Sequence, residues 1–168
     1  MQLQTLRDLL VEQLRDLYSA ETQLVEALPA MAAAASHDEL RQAFEHHLDE
    51  TRGHVDRLRE IFGQLGTTPG SETCEAMKGL IEEGREFVTT GGDSAVRDAA
   101  LIAAAQRVEH YEISAYGTTR TLADQLELGH ARDLLDQTLD EESAADKLLT
   151  KIATGGMFKA GVNKRAAR

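Results

Sequence analysis

A chain of 168 residues is enough for one ordinary domain, and 42% hydrophobic against 28% charged residues, with two prolines and no tryptophan, excludes wholesale disorder. The net charge of −11 excludes a broad phosphate-binding face, because nucleic-acid binders need a basic surface. The single cysteine, Cys74, excludes an intrachain disulfide and favours the cytoplasm.

The run MQLQTLRDLLVEQLRDL carries charges every few residues, so it reads as neither a signal peptide nor a membrane anchor. Instead, Leu3, Leu6, Leu10, Leu14, Leu17, Leu24, Leu28 and Met31 recur at steps of three or four, with one step missing, and predict a long amphipathic helix. Pro29 predicts a kink or an end between Ala27 and Ala35. Ser36 followed by Glu39 reads as a capping box, and Leu40, Phe44, Val55, Leu58, Ile61, Phe62 and Leu65 carry a second helix to a stop at Gly66.

After the turn sequence GTTPGSE, the stretch CEAMKGLIEEGREFV predicts one short helix. A third long helix follows Gly91, Gly92 and Asp93 and runs to about Gln125; a fourth runs from about Leu128 to Ala153 and stops at Gly155 and Gly156. The link of more than twenty residues between the second and third long helices is too long for antiparallel neighbours. The expected fold is therefore all-α, a ferritin-like four-helix bundle with a long crossover carrying a short extra helix. Residues 1–156 form the bundle, and 157–168, with Lys159, Lys164, Arg165, Arg168 and no acid, form a flexible basic tail. That tail is the one segment suited to touching nucleic acid.

The missing step in the first helix is Glu21, which continues the stripe Leu10, Leu14, Leu17 toward Leu24, Leu28 and Met31 and so points into the core. In the third long helix Glu112 interrupts the stripe Leu101, Ala105, Val108, Ala115, Thr119, Leu122 in the same way, with Glu109 on its edge. The second helix loses its apolar character at His47, Thr51 and His54, with Glu50 beside them, and the fourth places Glu142 and Asp146 one turn apart. Buried carboxylates without partners cost several kcal/mol, and two cations bridged by shared carboxylates satisfy them. The ligand set is Glu21, Glu50, His54, Glu112, Glu142 and Asp146, with Glu109 competing with Glu112 and His47 with His54. His110 and Tyr18 are candidates to orient those ligands. His37, His46 and His130 read as caps or surface residues, and Tyr111 and Tyr116 as core aromatics.

The segments DLYSAETQL, HHLDETRGHVDRL, RDAALIAAAQRVEHYEISAYGT and LDEESAADKLL resemble the bacterial YciE/YciF-like ferritin-like family, over about Leu3 to Ala153. The resemblance implies a ferritin-like bundle, a di-iron centre, a homodimer and a part in bacterial stress responses, with no activity established. Two departures from the ferritin pattern stand out. Glu50 is followed three residues on by Gly53, its histidine coming only at His54, and the fourth helix offers Asp146 and no histidine after Glu142. An oxygen-richer site of this kind accepts manganese as well as iron. The expected function is di-metal binding, with Fe(II) reacting with oxygen or peroxide; the alternative is a dimeric helical stress and interaction protein without metal chemistry.

Overall fold

The computed structural model describes residues 3–156 and 159–168. α1 (Leu6–Ala34) opens on a capping box: Thr5 Oγ1 accepts from the Asp8 amide at 3.1 Å and Asp8 Oδ2 accepts from the Thr5 amide at 2.8 Å. The helix runs through Pro29 and ends five residues later, inside the interval that the proline predicted.

α2 (Asp38–Leu65) ends where Gly66 adopts the left-handed conformation at φ 64°. Its start differs from the expected box. The cap residue is His37, with no side-chain capping bond, and the amides of Ser36 and His37 donate to the two oxygens of Asp98 at 2.8 and 2.9 Å. Asp98 arrives from α4 (Ser94–Gln125), so a tertiary neighbour supplies the carboxylate that local spacing assigned to Glu39. Glu39 itself pairs with Lys159.

α3 (Glu75–Thr89) is the short helix of the crossover, capped by Cys74 Sγ on the Met77 amide. Its apolar side, led by fully buried Met77 and by Ile81, packs on α1 and α4. α5 (Gly129–Thr154) completes the bundle. α1 lies along α2 and α4 along α5; the two hairpins then face each other, α1 against α4 and α2 against α5.

The core falls into two apolar halves. Leu24 and Leu28, Leu40 and Phe44, Leu101, and Leu149 belong to one half; Leu14 and Leu17, Leu58 and Ile61, Tyr116, and Leu135 belong to the other. On every long helix buried polar residues lie between the halves: Glu21 on α1, His47, Thr51 and His54 on α2, Glu109 and Glu112 on α4, and Glu142 on α5. A polar layer thus crosses the middle of the bundle.

The expected flexible tail does not describe the chain from Lys159 onward. Gly155–Gly156 pairs antiparallel with Lys159–Ala160 as β1 and β2, and α6 (Val162–Ala166) packs on α4 through Val162, which is 1% exposed. Gly155 makes the reversal possible: it sits at φ 79°, and a Cβ there would stand 2.3 Å from Gly161 N and from Lys159 O. Of the expected tail, residues 157 and 158 lie outside the described residues. Among the described residues no helix is long and apolar enough to cross a membrane.

Candidate metal centre

The polar layer contains two kinds of group. Thr51, Thr119 and Thr138 are buried, but each hydroxyl donates to the carbonyl four residues earlier on its own helix, at 2.7, 2.8 and 3.3 Å. They need nothing further. The acids and imidazoles have no such local outlet. Nine buried oxygen or nitrogen atoms of Glu21, His47, His54, Glu109, Glu112 and Glu142 lack a hydrogen-bond partner. Each such atom costs about 1–3 kcal/mol when left unpaired, against a net stability of about 5–15 kcal/mol for a whole domain.

These atoms cluster. One group joins Glu21, His54 and Glu142; another joins His47, Glu109, Glu112 and Glu142; within each, one ligand atom per residue lies within 4.8 Å of all the others. Glu142 is common to both, its Oε1 3.0 Å from His54 Nδ1 and its Oε2 3.7 Å from His47 Nε2. The two imidazoles, seven residues or two turns apart on α2, face each other edge to face with centroids 6.3 Å apart.

Of the residues expected from the sequence, Glu21, His54 and Glu142 stand in one group and Glu112 with Glu142 in the other; of the competitors, Glu109 stands beside Glu112, and His47 is present as well as His54. Glu50 and Asp146 lie outside both groups. Asp146 follows Glu142 by four residues, which turns it about 40° past one full helical turn, and its shorter side chain accepts instead from Gln106 Nε2 at 2.9 Å. Glu50 sits on the edge of α2, a quarter exposed, with oxygens 3.3 Å from His46 Nε2 and 3.5 Å from His47 Nδ1. Neither expected orienting residue reaches the centre. His110 is exposed beside Asp146, and the Tyr18 hydroxyl accepts from Arg59.

Other residues take that role. His54 Nε2 lies 2.9 Å from Glu141 Oε2, and Arg57 grips both oxygens of Glu141 at 2.7 and 2.8 Å while also donating to Thr138 Oγ1 at 2.9 Å. This carboxylate fixes the proton on Nε2 and leaves Nδ1 facing Glu21 and Glu142. The Tyr116 hydroxyl donates to Glu21 Oε1 at 2.5 Å. Sequence reading passed over Glu141 and Arg57, although each stands close to a candidate ligand: Glu141 precedes Glu142 and Arg57 follows His54 by one turn.

Without a cation the layer balances itself through protons. Burial pushes the carboxyl groups of Glu112 and Glu109 well above the usual range, helped at Glu112 by the neighbouring carboxylates and resisted at Glu109 by His47. Burial also raises Glu21, against the pull of His54. Glu142 moves down: burial opposes its ionisation, but the bond from His54 and the charge on His47 outweigh it. Burial alone would lower both imidazoles. The facing carboxylates overcome it and hold His47 at about 9 and His54 at about 11.

Residues 5–167 match the family described as a domain of unknown function, DUF892. The chain belongs to this family. Over 165 residues it is 46% identical to Protein YciF of Escherichia coli (strain K12), covering 98% of this chain and 99% of that one. The crystal structure of the E. coli stress protein YciF superposes with a TM-score of 0.86 at 47% identity, over 89% of this chain and 94% of that one. YcfI of Rhodopseudomonas palustris, for which a structural role has been suggested, gives a TM-score of 0.85 at 42% identity over 89% and 96%. A protein of Xanthomonas campestris at 18% identity, with a TM-score of 0.70 over 88% and 89%, shares the fold.

In this YciF-like chain the buried donors fit a pair of divalent cations. Four glutamates and two histidines are the number and kind of donors in ferritin-like di-iron bundles, where two helices give a Glu and two give a Glu-x-x-His pair. Here both histidines come from α2 and α4 gives two glutamates. Four carboxylates would neutralise two divalent ions if both imidazoles were neutral, and the orphaned Nδ1 and carboxylate oxygens are the atoms such ions would saturate.

Proposed function

We propose that this protein holds two iron ions between its helices and, in the bacterial stress response, lets Fe(II) react with dioxygen or hydrogen peroxide. The observation that carries the reading is Glu142, which offers one oxygen to each of the two buried ligand groups. Glu21 and His54 serve one ion; His47, Glu109 and Glu112 serve the other. A mixture of imidazole and carboxylate suits iron better than the all-oxygen surroundings that manganese and magnesium favour. When bound, a ferrous pair supplies the two electrons that reduce peroxide to water.

The chain's own residues do the rest. Tyr116 holds Glu21 in place, Arg57 and Glu141 pin the imidazole of His54, and apolar layers flank the centre on either side. The E. coli relative is a stress protein, which supports the stress role, and we place the protein in the cytoplasm as a homodimer. Anaerobic titration with Fe(II) should break at two ions per chain, and added peroxide should then be consumed in proportion to the iron. Binding of less than one ion per chain overturns the reading.

The structural role suggested for the R. palustris relative favours a second reading, a helical stress and interaction protein without metal chemistry. In that case Glu21→Gln and Glu142→Gln leave both dimerisation, followed by sedimentation equilibrium, and stress protection intact.

A further inference from the structure

A cleft of about 100 Å³ runs between α2 and α5, with Ala145 and Leu149 on its α5 wall. His46 and Glu50 stand at its mouth, and His47 and Glu109 close its inner end. Side-chain exposure falls steadily along this line, from 69% at His46 and 25% at Glu50 to 7% at His47 and 4% at Glu109. So do the gaps between donors stay short: His46 Nε2 to Glu50 Oε1 is 3.3 Å, Glu50 Oε2 to His47 Nδ1 is 3.5 Å, and His47 Nε2 to Glu109 Oε1 is 3.5 Å. Both ring nitrogens of His47 are buried without a hydrogen-bond partner.

A bare dication cannot cross an apolar wall, since desolvation without a ligand costs far more than thermal energy. It can move where a new ligand is in reach before the old one is released. Glu50 meets that condition, with one oxygen toward the surface and one toward the core. Its ion-pair partners among the described residues are both histidines, with no lysine or arginine competing for it. Beside His54, by contrast, the guanidinium of Arg57 sits on Glu141 and opposes a cation there.

We propose that this cleft is the loading route for divalent cations, with Glu50 passing each ion from His46 at the surface to His47 and Glu109 inside. The inference rests on the two-ion reading above. Glu50 is then a transit ligand and leaves the final complement of ions to the buried residues.

The test uses metal-free full-length protein and Co(II) as the probe, its visible absorption followed by stopped flow and the final cobalt content by elemental analysis. Wild type should take up two ions per chain. Glu50→Gln and Ala145→Leu, the second plugging the cleft with apolar bulk, should each slow loading by about tenfold or more while still reaching the same cobalt content. Glu60→Gln, an acid lost from the exposed face of the same helix, controls for surface charge and should load like wild type. Unchanged rates in both cleft variants overturn the route. Loss of one ion per chain in Glu50→Gln also overturns it, by making Glu50 a resident ligand. Failure of the wild type itself to bind cobalt brings down the two-ion reading and this inference with it, a result distinct from the other two.

Discussion

His54 Nε2 and Glu141 Oε2 lie 2.9 Å apart, and Arg57 donates to both oxygens of that carboxylate. The imidazole is thereby held with Nδ1 turned toward Glu21 and Glu142. Replacing Glu141 by Ala frees the ring without touching a proposed ligand, and metal affinity should fall about 10- to 100-fold with the number of sites unchanged. Competition titration with a chromophoric chelator measures both quantities, and an unaltered affinity argues against the assigned role.

The shared carboxylate makes a sharper demand. Glu142 belongs to both ligand groups and Glu21 to one. Glu142→Gln should therefore abolish tight binding at both sites, whereas Glu21→Gln should keep one ion per chain on His47, Glu109 and Glu112. Elemental analysis after dialysis separates the outcomes, and equal losses in the two variants contradict the bridging role.

Protons and the proposed metal ions would compete for the same atoms. His47 and His54 hold their protons more tightly in the folded chain, at about 9 and about 11, than the ordinary value of 6.5. In the metal-free protein their stabilising effect is complete below about pH 6.5 and is lost as pH rises through 9 and then 11. Its thermal midpoint should fall from pH 7 to pH 10. Metal-loaded protein, with neutral imidazoles, should show a flatter profile, and binding at pH 7 should release protons detectable in weakly buffered solution.

Asp98 links α4 to the start of α2, its two oxygens capping the amides of Ser36 and His37. Asp98→Ala should destabilise the fold by about 2 kcal/mol in urea denaturation. Metal stoichiometry should stay at the wild-type value, since Asp98 lies in neither ligand group.

Period alone placed the four long helices, because apolar residues three and four apart must share a face whatever surrounds them. It also exposed Glu21, Glu112 and Glu142, since an acid in an unbroken apolar stripe faces the core. Edge residues were a different matter. Whether the edge residues Glu109 and Glu50 turn inward, and which of the stripe residues His47, His54 and Asp146 reach the centre, depends on how far each helix is rotated about its axis against its neighbours, and spacing along one helix carries no such information.

The sequence by itself determined an all-α bundle with acids and imidazoles at mid-height, because amphipathic period and composition act within each helix. Only the tertiary structure decided that both His47 and His54 enter the centre, that Asp98 rather than Glu39 caps α2, and that the chain from Lys159 to Val162 folds back onto the bundle. Each of those outcomes depends on a partner contributed by a different segment, brought within hydrogen-bonding or van der Waals reach only when the helices pack.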